Sequence, residues 1–479
     1  MLTSFVGRTT ELALLRKRLD RVVDSGRGVA VAIRGRRQVG KSRLVQEFCD
    51  QSGLPSLFFV ATRGRSSVEA ARDFVTELRQ SDLPRDPELV PSVTNWPDAF
   101  RALAAALPDR PAIVVLDELP WLAEQDEIFD GALQTAWDRL LANRSILLLL
   151  LGSDLHMMQR LTAYDRPFYG RADNAVLGPL NPAETGAALG LDDADAVDAH
   201  LVSAGLPGIL AAWPDGLPAL DYLERECADP FSPVFGVPES ALLAEVPEPD
   251  QARRVLEAIG SGDRTYANIA ATAGSRSGAV PSGTLSPLLH KLAEEKQIVA
   301  IDHPLAIRQG KPALYRVADS NLRLYLAMLR AAAELARRGR SAAAFRLVER
   351  RWTTWRGRAV EPLVRESLEL AALSGELPWP SVGAVGGWWN RQFDPEIDLV
   401  GADTSPVATE IVFAGSIKWL AAPFDQHDLT TLLASAPAVP GYTASTATVV
   451  ASRSGLTDGL QKAGVDLLWG PADLVNAWR

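Results

Sequence analysis

The stretch Gly35-Arg36-Arg37-Gln38-Val39-Gly40-Lys41-Ser42 decides the fold. It fits the phosphate-binding pattern GxxxxGK[ST] at every constrained position. Residues 29–33 before it, Val-Ala-Val-Ala-Ile, read as a buried strand. Residues 42–49 after it read as a helix with Leu44, Val45 and Phe48 on one face. A strand, a glycine loop and a helix N-terminus aim backbone N–H groups and a helix dipole at one point. That point suits the β- and γ-phosphates of a nucleotide, with Lys41 neutralising them and the Ser42 hydroxyl ligating Mg2+. Gly35 and Gly40 allow backbone conformations and a close approach that a Cβ would obstruct. Residues 35–42, with Arg43 beside them, are therefore the expected ATP-binding residues.

Working outward, residues 1–178 alternate apolar strands with amphipathic helices, the pattern of an α/β parallel sheet and of a P-loop ATPase core. Strands are expected at Val29–Ile33, Leu57–Ala61, Ala112–Leu116 and Ile146–Leu151, with a short one at Asn174–Leu177. The third ends in Asp117-Glu118, the acidic second motif that such a site needs. Asp117 is expected to hold Mg2+ through water and Glu118 to polarise the attacking water. The fourth ends in Leu151-Gly152-Ser153-Asp154. Ser153 is the candidate to orient that water or sense the γ-phosphate; a plain strand-ending turn is the other reading.

Bulk properties narrow the class. At 479 residues the chain exceeds one ordinary core, and 47% hydrophobic with 23% charged residues is ordinary for a soluble globular protein. A net charge of −10 excludes a protein basic all over, so any nucleic-acid contact must come from a local basic patch. Cys49 and Cys227 sit in apolar, helix-like settings and read as small core residues, which fits a reducing cytoplasm. No signal peptide is read at the N-terminus and no apolar run is long enough to span a bilayer, so a cytoplasmic protein with no membrane partner is expected.

Residues 179–247 read as helices broken by Pro and Gly, and 247–250, Pro-Glu-Pro-Asp, as a linker. Residues 248–335 carry helices near 252–259, 266–273 and 284–295. Two strands, 298–301 and 314–317, follow around a loop at 307–312. This is the layout of a winged helix-turn-helix. His290, Lys291, Arg308 and Lys311 are placed to meet DNA phosphates, while Glu294 and Glu295 on the same third helix leave internal packing or partner docking equally open. Arg323 and Arg330 read as solvated.

At this point a family resemblance becomes specific. Phe5-Val6-Gly7-Arg8 followed by Glu11-Leu12 and Leu15 resembles the FxGRxxEL box of archaeal-type ATPases, in the AAA+/STAND branch of P-loop NTPases. The arginine-bearing P-loop, Asp117-Glu118-Leu119-Pro120-Trp121, Leu151-Gly152-Ser153 and Pro167-Phe168-Tyr169-Gly170-Arg171 are similar to that family as well. Gly205-Leu206-Pro207-Gly208 is similar to the GxP motif of its helical lid. The resemblance implies that Phe5–Arg8 packs near the adenine, that Arg171 is a charge sensor or arginine finger, in cis or in trans, and that Pro207 shapes the lid. A structural salt bridge is the alternative for Arg171.

Residues 336–479 show a helix, three strands at 385–390, 397–400 and 407–412, and later strands at 448–451 and 465–469. This order resembles the restriction-endonuclease-like fold with its PD-(D/E)xK signature, in which two acids ligate Mg2+ and a lysine positions water. Asp398 is the expected first acid and Glu410 the second, with Glu361 as a third ligand. Val412 stands where the lysine belongs; Lys418 has the wrong spacing to replace it on the same strand face, and its replacing it from a neighbouring element is left open. The expected fold is thus a P-loop parallel sheet with a helical lid, a winged helix-turn-helix and a C-terminal α/β nuclease-like domain. The expected function is an ATP-binding and ATP-hydrolysing switch coupled to a degenerate nuclease-like module acting on or near DNA. An ATP-gated Mg2+-dependent nuclease, or a STAND scaffold that binds a protein partner or self-associates, are the alternatives.

Overall fold

The aliphatic run at 146–151 becomes the middle strand of a five-stranded parallel sheet. Its strands are β1 (Val29–Arg34), β2 (Ser56–Val60), β3 (Ala112–Asp117), β4 (Ile146–Gly152) and β5 (Ala172–Val176), in the order β2-β3-β4-β1-β5, typical of P-loop NTPases. The computed structural model describes residues 5–84, 86–126, 128–161, 163–164, 166–246, 251–274, 278–308, 312–460 and 464–479. Every residue of β3 and β4 is buried, as expected of strands covered on both faces by helices. On one face Phe59, Phe74, Trp96, Phe100 and Phe129 form a knot of mostly edge-to-face rings with centroids 5.0–6.2 Å apart. Each of these side chains is at most 2% exposed, and burying each contributes about 2–3 kcal/mol.

The chain divides into two compact units, one ending at Leu180 and one running from Asn181 to Arg479. In the second, helices Pro182–Leu189, Asp193–Ser203, Pro207–Leu210, Ala219–Glu226 and Pro233–Glu245 come first. Helices Gln251–Ser261, Tyr266–Thr272 and Ser282–His290 follow, and then an antiparallel ribbon of β6 (Val299–Asp302) and β7 (Leu314–Val317). The expected linker at 247–250 lies outside the described residues. So does the tip of the ribbon loop at 309–311, with Lys311.

A second sheet closes the chain: β8 (Ala384–Trp389), β9 (Glu396–Ala402), β10 (Ile411–Lys418), β11 (Ala447–Ser452) and β12 (Leu467–Trp469), in the order β12-β11-β10-β9-β8. The pairs β8/β9 and β9/β10 are antiparallel, and β10/β11 and β11/β12 are parallel. Helix Glu361–Ser374 precedes it and Gln426–Ser435 crosses between β10 and β11. The third strand corrects the sequence reading, which put it at 407–412. The Asp403 carboxylate accepts the backbone N–H groups of Thr409 (2.9 Å) and Glu410 (3.1 Å), folding 403–410 into a turn. The strand therefore starts only at Ile411.

The loop between β6 and β7 takes the internal-packing course that the sequence left open. Leu305 donates its N–H to the Gly387 carbonyl of edge strand β8 (2.9 Å), and Ala408 donates to the Ala306 carbonyl (3.0 Å). Leu305 and Ala306 are buried in one cluster with Trp388, Ile397, Val400 and Val450. Trp389 Nε1 donates to the Pro312 carbonyl at 2.8 Å. This loop packs into the C-terminal sheet, with Arg308 exposed.

Helix Asp193–Ser203 is tied to the same sheet through charge. Asp198 accepts from Arg356 (2.7 Å) and Trp419 Nε1 (3.3 Å), and Asp195 pairs with Arg453 (2.9 Å). Burial raises the Asp198 carboxyl above the usual range against the pull of Arg356 and Arg453. Among the described residues no helix is long and apolar enough to cross a membrane.

Candidate functional site: the P-loop edge of the first sheet

The sheet register sets this site. Ile33 lies level with Leu151, and Leu116 with Leu150. The P-loop after β1, Asp117-Glu118 at the end of β3 and Ser153 beyond β4 therefore emerge side by side at the carboxyl edge. The Ser42 hydroxyl donates to Asp117 Oδ2 at 2.5 Å, bringing the two expected Mg2+ ligands together. The Ser153 hydroxyl is within bonding distance of both Glu118 oxygens, at 2.8 and 2.7 Å. Buried Lys41 donates to the carbonyls of Gly35 (2.7 Å) and Arg36 (3.1 Å).

The loop conformation explains its sequence. A Cβ on Gly35 would come within 2.4 Å of the Leu177 carbonyl oxygen, and Gly40 has φ 90°, where a side chain is strained. The twelve-residue helix Lys41–Ser52 starts there and turns its free N–H groups to the cradle. Arg37 and Gln38 are exposed at the rim and Val39 is buried beneath.

The electrostatics suit an anion with a cation. Burial lowers the Lys41 ammonium below its usual range, while Glu118 and Asp117 pull the other way. Burial raises the Asp117 carboxyl, opposed by the Ser42 hydrogen bond. Each group is held in an environment that favours its neutral form until a complementary charge arrives. Glu118 sits at φ 54°, ψ 40°, the left-handed region that is costly for a side-chain residue. That turn starts helix Leu119–Gln125 and lets the Glu118 N–H donate to Asp117 Oδ1 at 2.8 Å.

The N-terminal box packs onto the loop. Arg8 is buried and donates to the carbonyls of Val39 (2.9 Å) and Gly178 (2.7 Å), pinning the P-loop to the exit of β5. Gly7 has φ 70°, Val6 is half-buried, and the Phe5 ring lies 5.9 Å from the Arg43 guanidinium. Arg63 has no counterpart in the sequence reading. It follows β2 and stands 4.7 Å over the Trp121 ring, which Arg37 also reaches at 5.8 Å. Its available signal was a cation just past a strand end at the edge that bears the P-loop.

Arg171 is not part of this gathering. It precedes Ala172, which pairs with Ala30 near the start of β1, so it lies at the opposite edge of the sheet. Both its Nε and Nη2 donate to Asp138 at 2.8 Å, and Nη1 donates to the Pro167 carbonyl. This is the salt-bridge alternative for Arg171, and it holds the guanidinium away from the phosphate cradle of its own chain. Pro207 opens helix Pro207–Leu210 in the second unit.

The second sheet does not assemble the acidic site read from sequence. Gly415 pairs with Leu399, so Ser416 falls opposite Asp398 and donates to its Oδ2 at 2.9 Å, as does the Ile417 N–H. Glu410 is exposed beyond the far end of that pairing and does not meet Asp398. In this register Lys418 is two residues after Ser416 on the same strand: the lysine is present and the second acid is missing, the reverse of the sequence reading at Val412. Lys418 is paired with Asp428 and lies 3.9 Å from Asp425. Glu361 does approach Asp398, but Arg365 stands between them, donating to the Asp398 carbonyl (3.0 Å) and pairing with Glu361 (3.4 Å). Burial raises both carboxyls. Among the described residues no three His, Cys, Asp or Glu side chains are arranged to hold a metal. Arg323, expected to be solvated, is half-buried, donates to the Arg358 carbonyl (3.2 Å), and has its pKa lowered by desolvation to about 10.

Residues 4–149 match the family described as AAA ATPase domain, and residues 325–428 the family described as archaea bacterial proteins of unknown function. An uncharacterized protein of Methanocaldococcus jannaschii is 23% identical over 427 residues, 87% of each chain. A Walker-type ATPase of Pyrococcus abyssi is 18% identical over 67% of this chain and 96% of its own, with a TM-score of 0.46. The Aeropyrum pernix ORC2 protein, solved in ADPNP–ADP complexes, is 15% identical over 71% and 96%, with a TM-score of 0.44. The ORC1 protein of the same organism, solved with DNA, is 17% identical over 70% and 92%, with a TM-score of 0.35. The first unit is thus similar to AAA ATPase domains in sequence, over the residues that build its P-loop edge.

Proposed function

We propose that this protein is an ATP-driven switch: an ATPase of AAA type whose nucleotide state controls a second unit that acts on DNA. The observation that carries the reading is the joint placement of Lys41, Ser42, Asp117, Glu118 and Ser153 at one sheet edge. Each side chain has a task there. Lys41 neutralises phosphate charge from within the loop, and Ser42 with Asp117 holds the Mg2+ that accompanies ATP. The bound cation supplies Lewis acidity toward the phosphate oxygens. Glu118 accepts a proton from attacking water, and the Ser153 hydroxyl aims that carboxylate.

Helices 182–245 serve in this reading as the lid, 248–335 as a winged helix and 336–479 as the appended α/β module. The module is a binding element: the missing second acid and the Arg365 cation between Asp398 and Glu361 speak against hydrolysis of DNA there. The test is ATP binding and phosphate release by the full-length chain beside Lys41→Ala. Turnover and ATP affinity lost in Lys41→Ala support the reading; a wild type that neither binds ATP nor outpaces this variant overturns it.

A further inference from the structure

Between Glu334 and Arg358 the chain holds eight arginines and two glutamates, against a net charge of −10 for the whole. The segment covers the end of helix Arg330–Arg337 and nearly all of the nineteen-residue helix Ser341–Ala359. Three of these arginines are committed: Arg356 to Asp198, Arg337 to Glu239, and Arg338 to Glu334. The other five, Arg340, Arg346, Arg350, Arg351 and Arg358, are exposed. Among the described residues none of the five has a carboxylate within ion-pair distance; Arg350 and Arg351 reach only the carbonyls of Arg346 and Ala327.

Their placement is regular. Arg346, Arg350, Thr354 and Arg358 follow each other every four residues, a continuous ridge about 18 Å long on a helix surface. The buried face, Ala344, Val348, Trp352, Trp355 and Ala359, lies opposite. Arg351 widens the ridge on the Arg358 side, and Glu349 lies off its other flank. Thr353, Thr354 and Gly357 keep the middle low, and a Cβ on Gly357 would meet open space. We propose that this ridge binds the phosphate backbone of duplex DNA. The inference rests on the reading of the second unit as DNA-acting, and not on ATP hydrolysis.

The choice of ligand follows from the surface. Unpaired guanidiniums at repeated spacing match a polyanion with regularly spaced charges, and duplex DNA carries one per about 1.7 Å of axis. A single strand would be held by stacking on aromatic side chains, but both tryptophans of this helix are buried. A membrane surface would need exposed large apolar residues beside the arginines, and none between 334 and 358 is exposed. The major groove of B-form DNA admits a helix, whereas that of A-form RNA does not. The contact is to phosphate and carries no base preference.

The test is fluorescence anisotropy of the full-length chain on a labelled duplex of about 24 base pairs, from about 50 to 300 mM salt. The triple variant Arg346→Glu, Arg350→Glu, Arg358→Glu is expected to bind more than about tenfold more weakly. Its slope of log affinity against log salt should flatten by about three, near 0.9 per lost contact. The matching triple lysine variant should stay within about threefold of wild type, because a point charge suffices for phosphate. All three positions are exposed, so circular dichroism melting should show the fold unchanged. Wild-type affinity and slope in the glutamate variant overturn this surface while leaving the DNA reading standing. A wild type that ignores the duplex but binds single strands overturns the duplex ligand, and one that binds only anionic vesicles overturns both. ATP turnover without DNA, expected to be unchanged in the arginine variants, keeps these outcomes separate from failure of the ATP-site reading.

Discussion

Each five-stranded sheet of this molecule places an aspartate beside a serine hydroxyl, Asp117 buried and Asp398 half-buried. Asp117 accepts from Ser42 and Asp398 from Ser416, and burial raises both carboxyls. What surrounds them differs. At Asp117 the serine is exposed, the neighbouring acid Glu118 is on the adjacent residue, and the nearby cation Lys41 is bonded only to loop carbonyls that a phosphate can replace. At Asp398 the nearby acid Glu361 is already neutralised by Arg365. The second oxygen ligand one would look for, Glu410, is at the wrong end of the strand pairing. An acid at a strand is therefore a poor marker of chemistry by itself. The informative property is whether its partners remain free to exchange for a ligand.

That contrast can be broken from either side. The largest effect is expected at Glu118→Gln, which should leave ATP binding intact and cut phosphate release by about a hundred- to thousandfold, since it removes the proton acceptor and keeps the cradle. Comparable losses of binding and turnover would instead assign Glu118 to holding the loop.

Acid should distinguish the second unit through His200, whose ring is kept neutral by burial, with its pKa lowered to about 4. The sign follows from linkage: a depressed folded value means the unfolded chain takes up the proton first. Stability from this group is full above about pH 6.5 and is lost as pH falls toward 4, reaching about 3 kcal/mol. His200→Gln should lose that part of the acid sensitivity in thermal melts followed from pH 7 to 4.5.

Asp398→Ala should destabilise the second unit by about 1–3 kcal/mol, because it strands the Ile417 N–H and the Ser416 hydroxyl, without altering ATP turnover in the absence of DNA. Glu410→Ala should change stability by less than about 0.5 kcal/mol and leave any metal response untouched. A clear effect of Glu410→Ala on Mg2+-dependent behaviour would restore the acidic pair that the register separates.

The P-loop edge was legible because its signals are local. The glycine pattern, the apolar strands that flank it and the paired acids at 117–118 each lie within a few residues of the element they define. Ser153 was legible for the same reason. Arg171 was left between two readings and Glu410 was misread, because their positions depend on where a strand starts. β5 begins at Ala172, which leaves Arg171 at its foot. β10 begins at Ile411 because Asp403 has taken the N–H groups that an earlier start would use. Arg365 between two carboxylates and the burial of Arg323 arise from residues far apart in sequence, and no local pattern announces them. The wing did carry a readable warning. Leu305-Ala306-Ile307 is an apolar triplet, out of place on a loop meant to face phosphate.

That triplet also bears on how the chain can be divided. Leu305 bonds to the edge strand β8, and Ala306 shares the core of the sheet behind it. A cut near residue 335, where the sequence suggests a border, would strip β8 of its cover and leave the Gly387 carbonyl unpaired beside exposed apolar side chains. Such an edge pairs with other copies of itself. The two fragments should therefore clump when made apart and remain dispersed when made together, so the loop that sequence left open between DNA contact and packing serves as the guard of a neighbouring sheet.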